Sequence, residues 1–407
     1  MGRICVIRQH YYPLDPRLLR EVDALVQAGY TVDLICLPHG DQPRFERRGR
    51  LTIRRLPLAH RRRGTLRYLY EYTAFLIMAA VVAGALHLRH RYDLVQVNSI
   101  PDSLVFAAIV PRLLGTPVLL DLCECMPEFY ATRFGTSLSH PAIRGIARVE
   151  QASIRFARRA ITCTEQMRQA FVARGAEPDR IAVVMNAADE DTFDPTRFPS
   201  SPRRPGQFVL ICHGSVEERY GLDTAVRAVA LLRDQIPELR LEVFGDGSYL
   251  SELRRLASRL AVEDRVFFSG GFVPIQDLVR AIAAADAGIV AMKRDAFRDL
   301  TLCNKMFDFI AMGRPAIVSR TRSVEDYFDD SCFQMFTSGD QHDLARAIGE
   351  LYRDPALGER LAQQASRVNE RYRWPRQREL YLRIVAGLIH GEVEALPAGS
   401  ALGSPGR

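Results

Sequence analysis

At 407 residues, 47% of them hydrophobic and 25% charged, the chain is too long for one ordinary core, and its composition excludes a disordered or fibrous protein. Two domains of roughly 200 residues each are expected. The net charge of +7 favours anionic partners, whether nucleic acid, phosphorylated metabolites or an acidic membrane surface, without choosing among them. Almost all of the positive charge is arginine, Lys293 and Lys305 being the only lysines. Eight cysteines are scattered with no paired C-x-x-C motifs, which excludes a zinc ribbon or a disulfide framework and suits a reducing cytoplasm. The opening "MGRICVIRQ" has no long apolar region and reads as a first buried strand rather than a signal peptide.

Strand-like and helix-like segments then alternate. "RICVIRQ" is followed by the loop "HYYPLDP", by "RLLREVDALVQAG" at helical spacing with a closing Gly29, and by the strand "TVDLICL". Strand, helix and strand in about forty residues form the unit of a parallel sheet, because each parallel crossover needs a covering helix. "YDLVQVN", "PVLLDLC", "RAITCT" and "IAVVMN" continue the series to a first domain of residues 1–192. Proline, serine and arginine dominate 193–207, which reads as a linker. The alternation restarts with "FVLICHGS" and runs through "LRLEVFGDG", "RVFFSGG" and "AGIVAM", giving a second domain at 208–375. Residues 376–395 read as a C-terminal helix that returns to the first domain, and 396–407 as a disordered tail. The fold class is therefore α/β, two Rossmann-like doubly wound parallel-sheet domains in series.

One segment departs from this alternation. Residues 60–88 carry Arg61, Arg62, Arg63 and Arg67, then Tyr68, Tyr70, Tyr72 and Phe75, and an apolar run from Ala74 to Leu86. That run spans only about 20 Å as a helix, short of a membrane core of about 30 Å. Two readings stay open: a helix covering the sheet, and one that also lies on an anionic membrane surface with its arginines on the head groups.

Ligands of open parallel sheets bind beyond the carboxyl ends of the strands, so the loops there are the informative ones. "CHGSVEERYGLD" offers Gly214 for close backbone approach, Ser215, and Arg219 just before a helix, where an arginine can hold a diphosphate bidentately or simply pair with Glu217 or Glu218. "FGDGSYL" offers Gly245 and Gly247 without a third glycine, a weak phosphate signal or a plain tight turn. "TLCNKMFDFIAMGRPAIVS" places Asn304, Lys305 and Asp308 on one face of a short helix. A lysine suits phosphate oxygens and a carboxylate suits paired sugar hydroxyls, so a nucleotide diphosphate would use both. An intrahelical salt bridge explains the pair but not its apolar setting.

Together with "DLCECMPEFYATRFG" and "YYPLDPRLLREVDAL", these stretches resemble the retaining family 4 glycosyltransferases of bacterial cell-surface polysaccharide synthesis, over most of the chain. The resemblance implies the GT-B fold, two Rossmann-like domains facing a central cleft, with a nucleotide-sugar donor on the C-terminal domain and the acceptor on the N-terminal one. It implies Asp308 as the second acid of a Glu, seven residues, Glu pattern, Lys305 as the lysine of that region, and Asn186 within "MNAADEDTF" as part of a turn lining the cleft. Leu300 falls where the first acid would be, with Asp299 adjacent. Tyr220 replaces a lysine before Gly221, leaving Arg219 to supply charge. Cys123 stands where relatives carry a histidine, followed by Glu124, which weakens the expectation for donor choice because a thiol lacks paired hydrogen bonding. Asp15, Arg17 and Glu128 complete the expected acceptor or cleft side, although Glu128 reads first as a surface carboxylate after Pro127 and only second as an acceptor-positioning group.

The activity implied by the resemblance is transfer of a sugar from a nucleotide-sugar donor to a polyprenyl-linked or other lipid-linked acceptor, by an enzyme peripheral to the inner face of the cell membrane. Arg219 and Lys305 would stabilise the leaving diphosphate without cofactor or metal. A degenerate nucleotide-sugar-binding protein and an epimerase of the same fold are the alternatives. No recognised nucleic-acid module appears.

Overall fold

A computed structural model describes residues 2–58, 65–199 and 206–392 of the chain. Arg61, Arg62 and Arg63, most of the expected linker's second half (200–205), and the expected tail lie outside the described residues. The described chain forms two compact units, residues 1–185 with 375–407, and residues 186–374.

The first unit is built on an eight-stranded sheet: β1 (Arg3–Tyr11), β2 (Thr31–Leu37), β3 (Phe45–Arg48), β4 (Leu51–Arg55), β5 (Leu94–Asn98), β6 (Val118–Leu122), β7 (Arg159–Thr162) and β8 (Ile181–Val183). Their spatial order is β3-β4-β2-β1-β5-β6-β7-β8, parallel except for the β3–β4 hairpin at one edge. Ile4 to Ile7 are wholly buried, as a strand covered by helices on both faces requires. The helix Pro16–Gln27 opens with Asp15 as N-cap, whose carboxylate accepts from the Arg17 and Leu18 amides, and Pro16 occupies the first turn.

Residues 65–90 form one helix, Thr65–His90, longer than the apolar run marks it, because Tyr70, Tyr72, Thr73 and His87 continue the helix at either end of that run. Its Leu69–His90 portion is long and apolar enough to cross a membrane by length and composition alone, against the expectation that the segment is too short. Phe75, Ala79, Ala83 and His87 are buried on its inner side. The C-terminal helix Trp374–His390 belongs to the first unit, where the Tyr381 hydroxyl donates to Gln96 Oε1 at 2.6 Å and Gln377 accepts from the Met185 amide.

The second unit carries a six-stranded, all-parallel sheet: β9 (Phe208–His213), β10 (Leu239–Phe244), β11 (Val266–Phe268), β12 (Ala287–Val290), β13 (Ala316–Ser319) and β14 (Gln334–Phe336), in the order β11-β10-β9-β12-β13-β14. The chain steps outward from β9 to β10 and β11, then crosses back to β12 on the other side of β9 and continues to β13 and β14. The carboxyl end of β9 is thus a topological switch point, where an open parallel sheet leaves a crevice for a ligand. This unit begins at Asn186 rather than after a linker, because Phe193 is buried with its ring 6.4 Å from that of His213, and Glu190 pairs with Arg373 at 2.5 Å.

Candidate functional site

The switch point of the second sheet is formed by three loops. At the end of β9 the chain turns through Gly214 at φ +90°, and a Cβ there would meet Lys305 Cε at 3.2 Å. The glycine thus leaves room for the lysine stem to lie along its backbone. The loop after β10 is clamped to this one, the Gly214 amide donating to Phe244 O at 2.8 Å and the Val216 amide to Asp246 O at 2.9 Å. A Cβ on Gly245 would fall 1.8 Å from Gly214 O, and one on Gly247 2.1 Å from Val216 O. Glycine at 245 and 247 therefore answers to the packing of one loop on the other, without appeal to a ligand. Ser215 is exposed at the turn.

The helix Asn304–Ala311 supplies the third side, with Asn304 exposed at its start and Lys305 buried one residue later. Lys305 Nζ stands 3.9 Å from the centre of the Tyr220 ring. Two arginines face the same ring, Arg219 with its guanidinium carbon 5.3 Å away and Arg298 at 5.9 Å. The carboxylates expected to compete for Arg219 are engaged elsewhere: Glu217 accepts from Ser248 Oγ at 2.5 Å, and Glu218 lies 3.6 Å from Lys293 Nζ. Among the described residues Arg219 forms no ion pair. Three cations gather around one aromatic ring, and among the described residues neither Arg219 nor Arg298 is spent on an ion pair, as an anion site requires.

Asp308 sits one turn further, half-buried, with Oδ2 3.5 Å from His213 Nε2. Burial first, and then the charge of Lys305, push the His213 imidazole down to about 3, so the pair is a neutral imidazole beside a carboxylate and not a salt bridge. The His213 ring is wedged edge-on against Phe309 at 5.4 Å. Burial opposes the charge on Lys305, but the field of its neighbours Cys212, Cys303, Tyr220 and Asp308 outweighs it, and the pKa of the amine is raised.

His213 and Arg298 escaped the sequence reading. The first directly precedes Gly214 at the strand end, a position that was a usable signal; the second is one arginine among dozens and had none. Asp299 is not brought to this group. Its carboxylate accepts from the Arg322 amide at 2.9 Å and pairs with Arg294 at 3.0 Å, which fastens the loop, while Leu300 is buried. Asn186 opens the second unit.

In the first unit, the corresponding strand ends hold a buried polar network. Arg17 grips both oxygens of Asp121 at 2.7 Å, lies 3.3 Å from Glu21, and donates to Val184 O. Asp15, besides capping its helix, is held by Arg8 at 2.9 Å. Burial opposes the ionised form of Asp15, but Arg8 and the Leu18 amide overcome it and lower its pKa. Cys123 Sγ lies 3.3 Å from Asp121 Oδ2 and 3.7 Å from Arg8 Nη1. Burial and the Asp121 charge hold this thiol protonated, so it donates to Asp121. Glu128 is buried and bound by Arg174 at 2.5 Å, which also holds both oxygens of Glu150 at 2.8 Å. The surface reading of Glu128 is therefore wrong: Arg174 reaches into the fold and provides the charge that lets the carboxylate leave water. Glu124 lies nearby in sequence, half-buried.

Comparison with known proteins decides what this arrangement belongs to. Residues 14–187 match the glycosyl transferase 4-like domain and residues 207–354 the glycosyl transferases group 1 domain. The chain belongs to the family 4 glycosyltransferases. Among curated relatives of this family 4 chain, a D-inositol 3-phosphate glycosyltransferase of Acidothermus cellulolyticus is 31% identical over 51% of this chain and 48% of its own length. The lipopolysaccharide core biosynthesis glycosyltransferase LpsE of Rhizobium meliloti is 31% identical over 38% and 42%. The chain spans about half the length of the curated relatives it matches. The crystal structure of Anabaena HepE in complex with UDP is similar in fold, with a TM-score of 0.69 at 16% sequence identity, and coverage of 95% of this chain and 100% of that one. The GT-B class expected of family 4 is thus the fold class of this chain.

Proposed function

We propose that the protein transfers a sugar from a nucleotide diphosphate donor, with retention at the anomeric carbon, to a lipid-linked glycan acceptor of a surface polysaccharide at the cytoplasmic face of a membrane. The observation that carries the donor half is the cluster of Lys305, Arg219 and Arg298 around Tyr220 at the carboxyl end of β9. As the bond from the anomeric carbon to the diphosphate oxygen breaks, the diphosphate gains negative charge and the sugar becomes cation-like. Preorganised cations stabilise that leaving group more than the ground state. Asp308 takes the ribose hydroxyls, and neutral His213 orients the carboxylate from behind. The departing phosphate accepts the proton of the acceptor hydroxyl, so no protein base is assigned, and side chains rather than a metal supply the charge. The UDP held by HepE and the name of LpsE support the donor class and the polysaccharide setting respectively.

A second reading, a nucleotide-sugar-binding protein without turnover, is favoured by Cys123 in place of a histidine and by Asp299 being tied to Arg294. Calorimetry with a panel of nucleotide diphosphates and their sugars separates the outcomes. One nucleotide bound by the wild type and weakened by about 1 kcal/mol or more in both Lys305→Ala and Arg298→Ala places the donor on this cluster. Binding without transfer to any acceptor supports the second reading, and no binding by folded protein overturns both.

A further inference from the structure

The outer side of the Thr65–His90 helix is the part of the molecule that the donor and acceptor sites leave unused. Leu69, Tyr70, Ile77, Val81 and Leu88 project from it with exposures of 57–69%. From Tyr72 to Leu88, about 25 Å of helix, no charged residue interrupts them. A Cβ on Gly84 would meet Val110 at 3.3 Å, so the segment Ile109–Leu113 packs against the middle of this helix. It adds Ile109, Leu113 and Leu114 to the exposed apolar side, Leu113 being 77% exposed. A solvated protein surface rarely keeps so many contiguous large apolar groups.

The charges around this face say what covers it. Arg89 and Arg91 are exposed at one end, Arg112 stands beside Leu113, and Arg67 with the Tyr70 ring 5.2 Å away marks the other end. Residues 72–92 and 103–120 contain no aspartate or glutamate. Glu71 is buried. An apolar strip with a cationic and aromatic rim and no anion matches the boundary between acyl chains and acidic head groups. Although the helix is long enough to cross a bilayer, only its outer side is available to lipid. Phe75, Ala79, Ala83 and His87 are committed to the interior of the first unit, and a helix crossing the bilayer would have to give up that packing. We propose that this two-helix face docks onto an anionic lipid bilayer and lies within its interface, without crossing it.

The docking rests on the membrane-borne acceptor of the proposed function only for its purpose, not for its physics. The full chain is floated with vesicles of phosphatidylcholine, and of phosphatidylcholine mixed with phosphatidylglycerol. The wild type rises with the mixed vesicles. The double variant Ile77→Asp, Leu113→Asp loses at least about tenfold in partitioning, since two carboxylates are brought into the apolar strip. Arg89→Gln loses about fivefold on mixed vesicles and little on neutral ones, one basic residue at the surface contributing about that factor. Both positions of the double variant are exposed, and its thermal transition and nucleotide binding are measured alongside and remain those of the wild type. A wild type that stays in the lower fraction with both vesicles, or a double variant that floats equally well, overturns the docking. A wild-type dimer that the double variant turns into a monomer assigns the face to a second copy instead. Flotation without nucleotide binding leaves the docking standing and removes the transferase reading.

Discussion

Lys305 Nζ rests 3.9 Å above the centre of the Tyr220 ring, in a position where little water reaches it. The ring face is the contact that offsets removal of the ammonium from water, a cation–π interaction of roughly 2 kcal/mol when desolvated. Tyr220→Phe keeps that face and is expected to leave stability and nucleotide affinity unchanged within about 0.5 kcal/mol. Tyr220→Ala is expected to lose about 1–2 kcal/mol of stability, part of which a bound nucleotide diphosphate restores by taking over the charge. Thermal melts of the three proteins with and without nucleotide check this. Equal melts for all three would show that the ring does not hold the lysine.

The depressed His213 gives a pH dependence with a definite sign. Its pKa falls from an ordinary 6.5 to about 3 in the folded protein, through burial and the neighbouring Lys305 charge. Between those values the unfolded chain binds a proton that the folded chain refuses. The stability this residue contributes is therefore complete above pH 6.5 and is lost as pH falls toward 3, at up to about 1.4 kcal/mol per pH unit. Urea unfolding between pH 7 and 4 is expected to show a steeper decline for the wild type than for His213→Gln. Parallel curves would mean that the imidazole is already protonated in the fold.

Much of this architecture is legible in the sequence because a strand buried on both faces has to be written as a continuous apolar run. "RICVIRQ" and "FVLICHGS" are such runs, and the glycines after β9, β10 and β11 mark loops. The β3–β4 hairpin has no counterpart in the alternation read from the sequence, because β3 at the sheet edge is largely exposed and "FERR" carries no apolar run. The roles of Asp15 and Arg17 were also hidden. Their chemistry suits a ligand, but Asp15 caps a helix and Arg17 closes onto Asp121, a residue more than a hundred positions away. Lys305 and Asp308 were readable because a helix that buries a lysine has few other reasons to do so.

Backbone crowding at the switch point gives a third prediction. Gly245 has φ +150° and would place a Cβ 1.8 Å from Gly214 O, and neither backbone can retreat while the Gly214 amide is bonded to Phe244 O. Gly245→Ala is expected to cost about 3 kcal/mol or more and to abolish nucleotide binding by displacing the Gly214 loop. Gly313→Ala is the control: φ is +61° with open space around it, so the expected cost is about 1 kcal/mol and nucleotide binding survives. Denaturant titrations and calorimetry on the pair distinguish a local backbone penalty from the loop clash. Similar losses in both would remove the clash as the cause.

The buried network of the first unit carries one carboxylate too many. Arg8 and Arg17 face Asp15, Asp121 and Glu21, and Arg17 gives both of its strong contacts to Asp121. Glu21 Oε2 is left to accept from Gln96 at 2.8 Å and Asn98 at 2.7 Å, both neutral donors. Burial and the Asp121 charge accordingly raise its pKa from 4.5 to about 8. The folded chain therefore holds a proton that the unfolded chain releases above pH 4.5, so the stability linked to this proton is complete at low pH and is lost as pH rises toward 8. Glu21→Gln, which keeps the shape without the titration, is expected to be no more than marginally less stable at pH 5. Relative to the wild type it gains up to about 1.4 kcal/mol for each pH unit of that window. Paired unfolding curves at pH 5, 6.5 and 8 test it, and a constant difference between the two proteins would place Glu21 in the ionised state, with Arg17 shared between both acids.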